Sequence, residues 1–191
     1  MKYISLTLVA FAIFASFAIA VAQDNSGGIG YRSDILNDLK GSEKKLTDLA
    51  EAMPDSTYSW RPMKGVRSVS EVFAHIAADN YNIISKAGVK LPEGVVPKEF
   101  EKKYTTKADC VDALKKSFAF IRDSFNATSD ADLGKPTDFY GTKTTVGGIY
   151  FSNALHVHEH LGQSIAYARA NNVVPPWTAE QQKNTKMKMG N

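Results

Sequence analysis

Apolar residues recur with the period of an α-helix in four stretches of this chain. Ile35, Leu39, Leu46 and Leu49 mark one face of a helix from about Ser33 to Met53, which Pro54, Asp55 and Ser56 end. A second helix opens at Ser68 or Ser70, either of which can cap it. It carries Val72, Phe73, Ile76, Ile83 and Ile84, and Gly88 is its stop signal. The third, from about Thr106 to Phe125, has the most regular stripe: Val111, Leu114, Phe118, Ile121 and Phe125, each one helical turn from the next. The fourth runs from about Thr145 to Asn171, with Pro175 and Pro176 just beyond. Its apolar stripe, Ile149, Leu155 and Ile165, is sparse.

Strand-like alternation is rare. Four amphipathic helices of similar length predict an all-α protein, a four-helix bundle spanning residues 33–177. "PDSTYSWRPMKGVR" is rich in turn residues, and "DLGKPTDFYGTKTTVGG" has room for a short extended turn. The connection between helices 2 and 3, "VKLPEGVVPKEFEKKY", is long for a minimal bundle and is expected to lie across a bundle end or over a site mouth.

Composition adds a leader. Lys2 is followed by an apolar run ending in Ala20-Val21-Ala22, the pattern of a signal peptide over residues 1–22. Such a chain is exported, to the periplasm or beyond, and meets the membrane only through its leader. An uncleaved anchor is the competing reading, since the run approaches membrane-spanning length. No cysteine follows the leader for lipidation. Residues 23–32, beginning "QDNSGG", read as a flexible mature terminus, and the basic residues 178–191 as a disordered tail. The formal net charge of +3 is too small to argue for nucleic acid. Cys110 is the only cysteine, so no internal disulfide forms. It falls within the third helical pattern and reads as a packing residue.

The chemistry concentrates in the fourth helix. Ile149, Asn153, His156, His160, Gln163 and Tyr167 follow core-facing spacing, yet most are polar and would need partners once buried. His156 and His160, four apart, share one face and can grip a single ion. His158 is about 200° round the helix from His156, and belongs to the surface or to a supporting role. His75, flanked by apolar residues in the second helix, supplies a third imidazole if the two helices meet. Three ligands with open positions are a catalytic rather than a closed structural pattern. Asp79, Asn153, Gln163 and Glu159 are candidate supporting groups. Imidazoles suit zinc or nickel, with iron, manganese and copper as further candidates. There is no HExxH and no Glu-x-x-His pair. Trp60 and Arg61 could shape a substrate pocket, or else pack and cap.

Three segments carry a resemblance to a known family. "YSWRPMKGVRSVSEVFAHIA", "TDFYGTKTTVGGIY" and "HVHEHLGQSIAYARANNVVPPW" resemble, in that order, the helix-2 entry, helix-4 entry and His-rich helix 4 of the DinB-like superfamily. The resemblance spans about Ser33 to Trp177. It implies a DinB-like four-helix bundle with one divalent metal on His75, His156 and His160. One departure is visible: Glu159 stands where many relatives have a histidine adjoining the last ligand. The family includes thiol-dependent transferases and isomerases, which suits an exported chain poorly because that cosubstrate is mainly cytosolic. Relatives are often dimers, so a homodimer is one state the resemblance allows.

Three functional readings follow. The first is a metal-dependent hydrolase or transferase acting on a small molecule of unknown identity. The second is a non-catalytic, metal-binding or stress-related helical module. In the third, the histidines are hydrogen-bonded in a metal-free core.

Overall fold

The structure, a computed structural model, describes residues 30–189. The expected leader, its cleavage site and most of the expected flexible segment 23–32 lie outside the described residues. Four long helices dominate: α1 (Tyr31–Ala52), α2 (Val69–Ser85), α4 (Lys107–Ala127) and α6 (Val146–Ala170). Two short helices, α3 (Phe100–Lys103) and α5 (Asp130–Leu133), lie in the connections, and α7 (Pro176–Met189) follows the bundle. A hairpin of β1 (Pro136–Phe139) and β2 (Thr142–Thr145) leads into α6, with Phe139 paired to Thr142. Among the described residues no helix is long and apolar enough to cross a membrane.

The helix starts follow from capping. Ser68 accepts from the Glu71 amide while the Glu71 carboxylate accepts from the Ser68 amide, a reciprocal box that opens α2. Thr106 and Thr145 cap α4 and α6 without the return bond, each side chain accepting from the amide three residues on. The stripes on α1, α2 and α4 are buried as their spacing requires, with Leu46, Leu49, Ile76, Leu114, Phe118, Ile121 and Phe125 essentially inaccessible. On α6, Leu155 departs from the expected apolar stripe and is 56% exposed. The helix turns its polar stripe inward instead, burying Asn153 and His160.

The bundle is not a simple up-and-down one. α1 and α2 each pack against both α4 and α6, which puts α1 and α2 on one diagonal and α4 and α6 on the other. Side-chain bonds give the directions. Cys110 Sγ meets Ser70 O at 3.7 Å and Asn80 Nδ2 donates to Ser117 Oγ at 3.0 Å, so α2 and α4 are parallel neighbours. Lys115 reaches Glu51 while Arg32 reaches the carbonyl of Phe125, so α1 and α4 are antiparallel. His75 meets His160, and Asn80 meets Asn153, so α2 and α6 are antiparallel. The segment between α2 and α4 must therefore travel back along the bundle, roughly 25 Å for a helix the length of α2. It does so through residues 86–106, pinned by Phe100, whose buried ring packs edge-on against Tyr81 at 5.8 Å.

Three side groups complete the picture. The tail expected to be disordered is helical from Pro176 to Met189. Trp177 packs against the core and lies under Lys45, its Nζ 6.0 Å from the ring centroid. Trp60 packs edge-on against Tyr167 at 5.4 Å, and Arg61 donates to Val66 O and pairs with Glu71; both brace the α1–α2 loop. Cys110 is fully buried, and desolvation, followed by the nearby Asp109 charge, pushes its thiol pKa up to about 12.

Burial orders the expected mutational costs. Phe118→Ala should lower unfolding free energy by about 3–5 kcal/mol, whereas Leu155→Ala should shift it by roughly 0.5 kcal/mol or less. Urea unfolding of the two variants beside the parent checks both.

Candidate metal centre

α2 and α6 cross where each turns a histidine face inward. His75 Nε2 lies 3.1 Å from His160 Nε2 and 3.3 Å from His156 Nε2. One ligand atom from each of the three rings lies within 4.8 Å of the others, making a group that could hold a metal ion. Two imidazole nitrogens sharing a tetrahedral ion at about 2.0–2.1 Å stand roughly 3.3–3.4 Å apart, and the observed separations come close to that.

The far sides of two rings are occupied. His160 Nδ1 donates to Gln163 Oε1 at 2.7 Å, and Gln163 in turn donates to Tyr167, whose hydroxyl donates to the Arg67 carbonyl. That chain fixes the amide orientation, since Gln163 must present its oxygen to the ring. Glu101 Oε1 lies 3.3 Å from His75 Nδ1 and is itself held by Arg67 at 3.0 Å. A carboxylate only accepts, so it favours the proton on Nδ1. In both rings the proton then sits outside, and a lone pair on Nε2 faces the common point. His156 Nδ1 is buried with no partner among the described residues.

Asp79 is closer in than a ring-orienting residue. Its Oδ2 lies 3.2 Å from His156 Nε2 and 3.5 Å from His75 Nε2, on the side where the nitrogens converge. Burial alone would raise its pKa, but contact with His156 and the influence of His75 bring it below the ordinary carboxylate value. Burial also holds His75 and His160 neutral. Desolvation is the largest influence on His75 and drives it down to about 4, against the opposing pull of Asp79. His160 is lowered for the same reason.

The other expected supporting groups lie elsewhere. Asn153 donates to Asn80 Oδ1 within a buried layer completed by Ser117, and no contact joins it to the rings. Glu159 faces solvent. His158 points to α1, where one nitrogen, Nε2, meets both Asp38 Oδ1 (2.8 Å) and Ser42 Oγ (3.3 Å). A Ser-His-acid relay needs the two partners on opposite ring nitrogens, so this cluster is not a nucleophilic triad. Glu101 is the supporting group that spacing does not reveal: it lies in α3, inside the crossover.

A cleft of about 390 Å³ opens beside His75. His75, Asp79 and Asn82 of α2 line it on one hand, and Leu91, Val95, Val96, Pro97 and Lys98, from the segment between α2 and α4, on the other.

A four-helix bundle with α2 and α6 antiparallel and three inward imidazoles defines the class. The chain matches the DinB superfamily over residues 38–164 and belongs to that family. Its fold is similar to that of a DinB-like protein from Bacillus cereus ATCC 10987 (TM-score 0.68, 18% identity, covering 77% of this chain and 98% of that one). It is also similar to a conserved protein from Enterococcus faecalis (TM-score 0.59, 17% identity, 74% and 97% covered). A third similar structure is YfiT from Bacillus subtilis (TM-score 0.62, 15% identity, 79% and 94% covered), described as a probable metal-dependent hydrolase with an unusual four-helix bundle topology. No curated protein matches the chain.

The lowered histidine pKa sets a stability trend. The unfolded chain takes up a proton at His75 near pH 6.5, but the folded chain does so only near 4, so acidification across that window favours unfolding. Metal-free protein should lose on the order of 2–3 kcal/mol between these limits. Melting temperature against pH checks this, and His75→Asn should flatten the slope.

Proposed function

We propose that the chain holds one divalent metal ion at the Nε2 atoms of His75, His156 and His160, and uses it to hydrolyse or transfer a group on a small molecule. One observation carries the reading. With Glu101 and Gln163 drawing the protons to the outer nitrogens, His75 and His160 aim two lone pairs at each other across 3.1 Å. Such a pair needs positive charge between its members. Burial disfavours a proton there, driving His75 down to about 4, so a metal ion is the better answer. YfiT, with the same fold, is described as a probable metal-dependent hydrolase, which supports the reading.

A bound divalent ion supplies Lewis-acid activation of water or of a carbonyl. The chain's own contribution is placement. Three neutral imidazoles bind from two helices, Glu101 and Gln163 hold two of them in the binding tautomer, and the crossover limits access of solvent. Asp79 Oδ2, beside two of the nitrogens and charged at neutral pH, is positioned to take up a proton from a nucleophile. Zinc and nickel are the first metals to test. The apolar leader of residues 1–22 supports export, which would place this chemistry outside the cytosol.

Metal analysis of untagged protein should find stoichiometric metal, and His160→Ala should lose it while His158→Ala keeps it. Equal loss from both variants would overturn the assignment of faces. In a hydrolysis screen on esters and amides, Asp79→Asn should retain metal and lose about a hundredfold in rate. Stoichiometric metal with no turnover on any substrate would leave the chain a metal-binding module.

A further inference from the structure

The turn joining β1 to β2 holds Tyr140 at φ 51° and Gly141 at φ 83°. Two consecutive positive φ values over a two-residue connection make a type I′ turn, whose first position favours Asn or Gly. An aromatic residue there is strained. The ring gains little packing in return, being 68% exposed. What it gains is position. The Tyr140 hydroxyl accepts from Asn82 Nδ2 at 3.3 Å, and Asn82 lines the cleft beside the histidines. Lys86 lies over the same ring at 5.7 Å. The hairpin thus leans its tip against the last turn of α2 and sets an exposed aromatic ring next to Asn82, one of the residues that line the cleft.

The cleft itself is asymmetric. Its acidic groups, Asp79 and Glu101, are engaged with the histidines and Arg67. Lys98 lines the wall, is exposed, and among the described residues has no ion-pair partner. The crossover also contributes the apolar side chains of Leu91, Val95 and Val96 to the lining. From this arrangement we infer that the cleft takes a small organic anion with an aromatic or apolar body. Its reacting group lies at the histidines, its body against Leu91, Val95 and Val96, its charge at Lys98, and Tyr140 covers its outer face. Tyr140 and Lys98 are then specificity-determining residues. The assignment rests on the histidine cluster being the reacting end.

A matched pair of probes tests it: phenylbutyrate and phenylbutanol, which share a body and differ in charge. Each is titrated into the full chain, metal-free and zinc-loaded, while the methyl signals of Val95 and Val96 are followed by NMR. Phenylbutyrate should shift those methyls saturably in both forms. Lys98→Gln should weaken the acid about tenfold and leave the alcohol unchanged. Tyr140→Gly, which suits the turn better and should melt no lower than the parent, should weaken both probes severalfold. The inference is overturned if the parent binds acid and alcohol equally, if Tyr140→Gly binds both as the parent does, or if neither probe shifts the cleft methyls. Zinc content is measured separately. Failure to load zinc would count against the metal centre, and the metal-free titration would still decide the cleft.

Discussion

α2 and α4 lie side by side and run in the same direction, and much of the site follows from that. Parallel neighbours cannot be joined by a tight turn, so the chain has to return along the bundle before α4 can begin. That return passes the face of α2 that bears His75. It supplies the apolar wall of the cleft and, through α3, the carboxylate that faces the outer nitrogen of His75. A plain up-and-down bundle with short loops would leave the same histidines on an open groove. The long connection is therefore part of the site, and the buried Phe100 against Tyr81 is what keeps it in place.

The level at which α2 and α6 meet is set one layer away from the histidines. Asn153, Asn80 and Ser117 join α6, α2 and α4 through buried side-chain hydrogen bonds. Sliding any one helix by a turn would leave buried amides unpaired, a larger penalty than an apolar layer would impose. Asn153 thus serves the cluster by setting helix register rather than by touching a ring. The polar stripe on α6 divides its labour: Asn153 sets height, His156 and His160 face the shared point, and Gln163 with Tyr167 ties the end of the series to the Arg67 carbonyl.

How much of this is legible in the sequence depends on how local each signal is. Helical period and capping residues place all four long helices, because stripe and cap are local in sequence. The spacing of His156 and His160, and the inward stripe they share, identifies the pair's face, and the same geometry excludes His158. Glu101 is not legible, since only the folded crossover brings it to His75. Asp79 is legible as a neighbour of His75 but not as a group on the converging side, because side-chain direction depends on how α2 is rolled. Leu155 misleads: it is apolar at a plausible spacing, yet α6 spends its buried face on polar residues. α7 has no apolar stripe to announce it. Its Lys, Gln, Ala and Met are good helix formers, and Trp177 anchors its first turn.

The thiol of Cys110 has a consequence for handling. Wedged between α2 and α4, with its sulfur against the carbonyls of Ser70 and Tyr104, it has almost no thiolate at neutral pH. At cysteine, mixed-disulfide formation, peroxide oxidation and alkylation all begin at the thiolate, so Cys110 in the folded chain should be inert to each. A molecule so built stands in air without cross-linking to its neighbours, and labelling of that one sulfur would report unfolding rather than surface chemistry.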